Sequence, residues 1–259
     1  MIERTAMAAG VALVGLLTGT PILGDAEELL NSDGVTSMLD VMDALAVAHP
    51  EFATRAAAYA RLDDGDRDAA LDAVRAANGS NADVRAAIDR LLASNTYQVY
   101  FRRFTNITAE DVEDLLLDLP YRQRRAPGDV GNTLYQLFRQ RETIRAALDR
   151  LLAEADMQWV YETAQRFAPG WEGALPTMHL IYDSNAGSFA AEGIPFFNVF
   201  TGIDLPELAV ATDRESLRDA EETMAHELQH VLAEPCLLYT SDAADEGVEG
   251  GVGGGGGGG

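Results

Sequence analysis

Residues 223–232 read Thr-Met-Ala-His-Glu-Leu-Gln-His-Val-Leu, and three of them carry side chains suited to metal-assisted hydrolysis. On a helix, positions i and i+4 lie about 40° apart and one turn along the axis. His226 and His230 can therefore direct both imidazoles at one cation, each nitrogen ~2.0–2.1 Å from a Zn²⁺ ion. Glu227 is turned about 80° from the mean of the two His directions. It flanks the ion without ligating it, where it can take a proton from a water. Zn²⁺ lowers the pKa of such a water toward ~7, and a carboxylate then serves as general base. Shuffling would produce His-Glu-x-x-His in roughly 0.5% of chains of this composition, so chance alone is a weak explanation. The plain alternative is two His and a Glu on a partly exposed helix face. Leu228, Val231 and Leu232 face elsewhere and anchor the helix in a core.

These residues need a helix, and the sequence marks one. Thr212 and Glu215 have capping-box spacing, so each side chain can satisfy an orphan backbone donor. The helix is predicted from about Asp213 to Ala233 and cannot extend far past Pro235. Two short β-compatible runs precede it, Thr177–Tyr182 and Phe196–Ile203, with Pro195 at the entry of the second. Upstream, from Asp25 to about Gly170, the pattern is helical. Leu29, Leu30, Val35, Met38, Leu39, Met42 and Leu45 recur at three- and four-residue steps until His49-Pro50. Asn81 and Thr108 read as N-caps, and Arg139–Phe167 reads as one helix ending before Pro169-Gly170. The fold class expected is α+β: a mostly helical N-terminal region over 1–170, then a small sheet and the motif helix over 171–235. Arg122, Arg124 and Arg125 form a basic cluster that reads as a solvated loop before Pro127.

The motif and its flanks resemble the longer zincin metallopeptidase signature. Thr223 stands at its first position, uncharged residues at Met224, Leu228, Gln229 and Val231, and apolar Leu232 at its end. The resemblance covers roughly Thr177–Pro235, the strand–strand–active-helix half of the zincin fold. Within zincins it is most similar to uncharacterised families of zinc-dependent proteases in which a helical region precedes the motif. It implies Zn²⁺ as cofactor, His226 and His230 as metal ligands, Glu227 as catalytic base, and a peptide or protein substrate. It also implies that one of the two strands is an edge lying along extended substrate, with Asn185–Gly193 allowing close backbone approach.

A catalytic zinc site needs a third protein ligand. Ala233-Glu234-Pro235 stands where metzincins continue toward a third His, and Glu-type zincins, the better match, take that ligand from a later helix. Glu234 is the near candidate, but eight residues of helix rise carry it about 12 Å along the axis from His226, too far for one ion. His179 lies in a predicted strand and reads as packed rather than ligating, and His49 as a helix end.

Composition narrows the partners. The chain has 259 residues, 42 acids and 19 basic residues, all Arg, for a net charge of −23. That balance argues against nucleic acid or an anionic membrane surface as partner. No apolar run reaches the ~18 residues of a membrane span. Residues 236–259 stand apart. Cys236–Glu246 resembles the in-frame translation of a transposon-type sequencing adapter, and the closing Gly run resembles translated poly-G. On that reading the tail is non-native, and natural sequence once continued past Pro235 to a third ligand. The truncated chain is then expected to be inactive. Removing the tail's four acids leaves 38 against 19, or −19. Acid excess without Lys resembles proteins of salt-accumulating microbes, so a halophilic protein is expected. The apolar stretch Ala6–Gly19 reads as a first helix and the protein as cytoplasmic, the alternative being export through a signal at 1–24. Oligomeric state is not legible. Two functions follow: a zinc metallopeptidase, or a non-catalytic helical binding or regulatory module that retains a metal-binding helix.

Overall fold

Local signals start most of the helices. In the computed structural model, which describes residues 29–51, 61–119, 121, 130–168, 171, 174–182, 187–199 and 214–237, Asn81 caps α3 (Ala82–Ala93). Its side chain accepts from the backbone N–H of Asp83 and Val84 at 3.0 and 3.2 Å. Thr108 caps α5 (Ala109–Leu117) in a reciprocal box: Asp111 N–H donates to Thr108 Oγ1, and Thr108 N–H to Asp111 Oδ2. Asp63 caps α2 (Asp64–Ser80) and Ser94 caps α4 (Asn95–Arg103). Each side chain satisfies donors that a helix start leaves orphaned. α1 (Asp33–Ala48) ends at His49, as its sequence implies.

The predicted single helix over Arg139–Phe167 is two, α6 (Val130–Glu154) and α7 (Met157–Gln165). Asp156 makes the break, because its carboxylate caps the second helix by accepting from Trp159 N–H at 2.9 Å. The apolar period continues across the junction and hides it.

Four strands form one sheet in the order β1-β2-β4-β3. They are β1 (Leu30–Asn31), β2 (Met178–Ile181), β3 (Phe189–Ala191) and β4 (Ile194–Asn198). β1, β2 and β4 run parallel, and β3 is antiparallel to β4. The α+β expectation holds, with three corrections. Leu30 belongs to a strand rather than to the helical pattern. Pro195 lies inside β4 rather than at its entry. And neither predicted strand is an edge: β2 and β4 are both flanked, so among the described residues the edge beside β4 is β3. β3 falls within the Gly-containing segment Asn185–Gly193, for which no strand was expected. Its link to β4 is a two-residue turn, Glu192-Gly193, with φ of 53° and 73°. Two successive positive φ values match the hairpin turn whose twist suits the strands it joins.

Register puts Asn31, His179, Phe196 and Phe189 in one row across the sheet, and α4 covers that row. Thr96 meets His179, and Tyr100 and Phe104 meet the Phe189 ring at 6.5 and 5.1 Å between centroids. Alternation sends Leu180 and Phe197, both fully buried, to the other face. α8 (Arg214–Leu237) packs against β4 and β3 and along α7. α1 packs on β2, and one hydrophobic cluster runs from Leu29 through the helices and sheet to Leu232. Among the described residues no helix is long and apolar enough to cross a membrane. Residues 1–28, Thr212, the 122–125 Arg cluster and residues 238–259 lie outside the described residues.

Candidate metal centre

α8 carries the motif, and its burial pattern sorts the side chains by role. Leu217, Ala220, Met224, Ala225, Leu228, Val231 and Leu232 are buried. Asp219, Glu222, Thr223, His226 and His230 form an exposed stripe on the other side. Leu228, Val231 and Leu232 thus anchor the helix as expected, while both imidazoles stand on its open face. The helix continues through Pro235 to Leu237.

The two His side chains converge. His226 Nε2 and His230 Nε2 are 3.0 Å apart, with the rings nearly perpendicular and 4.7 Å between centroids. Two nitrogens on one tetrahedral Zn²⁺ at ~2.0–2.1 Å stand roughly 3.3 Å from each other, so a small rotation of either ring would let both ligate. The donor set therefore fits two of the ligands of a zinc site. Among the described residues no third His, Cys, Asp or Glu joins them. The side chain of Glu234 lies outside the described residues.

Glu227, one position on, is buried at 7% exposure. Burial penalises its charged form and pushes its pKa from 4.5 up to about 7. A carboxyl poised there exchanges protons readily near neutrality. His230 stands on the open face but is partly desolvated on its helix side, and this, reinforced by the neighbouring His226, holds it below the ordinary imidazole range.

The orientation of α8 depends on residues that the sequence reading did not single out. Glu221 is buried at 5% exposure and accepts from Asp156 N–H at 2.8 Å and from Arg218 Nη1 at 2.9 Å. The Arg218 guanidinium lies 3.2 Å from the centre of the Trp159 ring. Together these groups clamp α8 to the start of α7, with Glu221 about 180° around the helix from His230. Only Glu221 gives a sequence signal, an acid at a position that helical periodicity assigns to the buried face.

The remaining His residues are structural. His179 is buried with Nδ1 2.9 Å from Thr96 Oγ1, and the Thr96 hydroxyl donates to Asp33 Oδ1. The hydroxyl has one proton and gives it to the carboxylate, so it accepts from His179 Nδ1–H. Burial holds the His179 pKa down, partly offset by Asp33. His49 Nε2 lies 2.6 Å from Asn78 Oδ1, while Asn78 Nδ2 donates to the carbonyls of Leu117 and Leu119. Neither His is brought to the motif pair.

No curated protein and no solved structure matches this chain. A family model does: that of the family described as "Putative zinc dependent peptidase (DUF5700)", over residues 88–248. The match runs from within α3 through α7, β2 to β4 and the motif helix to residues beyond it. It covers more than half of the chain, and the protein belongs to this family.

Proposed function

We propose that the protein is a zinc metallopeptidase of zincin type, hydrolysing peptide bonds in an extended peptide or protein segment. The observation that carries this reading is the convergence of His226 and His230 Nε2 to 3.0 Å beside a buried Glu227. Family membership supports it. His226 and His230 would hold the ion. When bound, Zn²⁺ supplies Lewis-acid polarisation and lowers the pKa of water toward ~7. Glu227 takes a proton from the attacking water on its carboxylate and passes it to the departing amine nitrogen. β3, the edge strand beside β4 among the described residues rather than either strand first expected to be the edge, would pair its main chain with extended substrate.

The test measures zinc content and peptide turnover together, in the full-length natural protein. His226→Ala is expected to lose zinc and turnover. Glu227→Gln removes the base and no ligand, so zinc should stay and turnover should fall at least ~10²-fold. A Glu227→Gln protein that cleaves as fast as the parent would sink the mechanism. One observation favours a second reading, a non-catalytic module that retains a metal-binding helix: the pair has no third ligand among the described residues. Zinc bound tightly, with no cleavage across a broad peptide library, would put that reading first.

A further inference from the structure

The cross-sheet row Asn31–His179–Phe196–Phe189 ends on the edge strand, and its last ring is only partly buried. Phe189 is stacked on Phe196, with centroids 4.7 Å apart and planes 13° apart. Thr96, Tyr100 and Phe104 follow one another at four-residue steps, so one face of α4 runs along the row. It ends with Phe104 edge-on to Phe189 at 5.1 Å and with the Arg103 guanidinium 5.5 Å from the Phe104 ring. Arg102 Nε and Nη2 bind Glu192 Oε1 and Oε2 at 3.0 and 2.8 Å, a two-point bond from the end of α4 to the turn.

We infer that Phe189 and Phe104 form a specificity subsite that selects an aromatic or large apolar side chain in a peptide paired along the outer edge of β3. The inference rests on the peptide-substrate reading above. A strand added to β3 places every second residue on the face that Phe189 occupies. The residue directly opposite stands with its Cβ about 5 Å from that of Phe189. That residue becomes the next member of the row, beneath Phe104. An aromatic ring there continues the stacking, a large aliphatic group covers the exposed ring faces, and a small or charged group does neither.

The test uses the full chain with chelator present, so that binding is read without turnover. The probes are two fluorescein-labelled hexapeptides, capped at both ends and rich in β-branched residues, that differ only in Phe or Ala at the fourth position. The Phe peptide is expected to bind about two- to tenfold more tightly, the range that aromatic pairing gives. Phe189→Leu keeps apolar volume and removes the ring, and Phe104→Leu removes the roof; each should bring the two affinities within about twofold of each other. Equal affinities in the parent, no binding of either peptide, or an unchanged preference in folded Phe189→Leu protein would each overturn the inference. Cleavage is read separately with zinc restored, in the full-length natural protein. Peptides bound with this preference but never cleaved would refute the peptidase reading and leave the subsite standing; cleavage with no preference at this position would do the reverse.

Discussion

Glu227 is a carboxyl that the fold keeps from ionising easily, and this has a consequence separate from catalysis. Its pKa rises from 4.5 to about 7 because burial penalises the charge. Below pH 4.5 the group is protonated in both folded and unfolded chains, and its full contribution to stability is present. As pH rises, the unfolded chain releases the proton first, so stability declines until the folded carboxyl also ionises near pH 7. The metal-free parent should thus lose stability across this window relative to Glu227→Gln, whose side chain cannot ionise. Urea midpoints of both proteins between pH 4 and 8, with chelator present, would show it. Parallel profiles would mean that Glu227 ionises in the folded protein as freely as in solution. The three motif residues were legible because their chemistry depends on local spacing alone. The buried Asp33–Thr96–His179 chain was not, because its members lie 63 and 83 residues apart, and no local pattern reports such a meeting.

Elements differ in the same way. Helix starts at Asn81 and Thr108 were readable because a cap and its donors lie within three residues. β1 and β3, of two and three residues, exist only through pairing with distant strands, and the Glu192-Gly193 turn lacks the Asn or Asp that usually announces it. The break at Asp156 was masked by an apolar period that runs on through Met157. Two substitutions test how these elements are held. A Cβ at Gly34 would stand 2.6 Å from Thr96 Cγ2 and 3.1 Å from the Leu180 carbonyl oxygen. Gly34→Ala should thus cost roughly 1–3 kcal/mol through overpacking. Adding Thr96→Ser, which deletes the offending methyl and keeps the hydroxyl, should recover part of that loss. Denaturant unfolding decides it: an additive double mutant would mean that the Thr96 methyl is not the obstacle, since Ser keeps the Cβ that would stand 2.9 Å away. At the motif helix, Glu221→Ala removes the carboxylate shared by Asp156 N–H and Arg218. The acid's side chain is 6% exposed but that of Arg218 is 41% exposed. Water can therefore rescue the guanidinium, and the cost should fall near or below the low end of ~3–5 kcal/mol for a broken buried pair. A loss under about 0.5 kcal/mol, the scale of an ordinary surface change, would show that α8 is held by its apolar face alone.

At the scale of the whole molecule, charge is the dominant feature. The chain carries 42 acids against 19 Arg, a net −23. Among the described residues its ion pairs engage Arg75, Arg85, Arg102, Arg141, Arg145, Arg150 and Arg218, mostly at half-exposed positions. Exposed pairs of this kind contribute only ~0–1 kcal/mol each, so they do little to offset the repulsion among the remaining acids. Repulsion acts on the compact state more than on the expanded chain, since folding brings the charges closer. Its reach is about 10 Å at 0.1 M salt and about 3 Å at 1 M. Raising KCl from millimolar to molar should thus stabilise the fold even though it screens the favourable pairs. The thermal midpoint should climb with KCl, most steeply below ~0.1 M where the screening length changes fastest. Sodium sulfate would confuse the test by strengthening apolar burial, so the comparison belongs to KCl. A midpoint that is flat or falling from millimolar to molar KCl would show that the ion pairs outweigh the acid excess, and would remove the case for a salt-adapted protein.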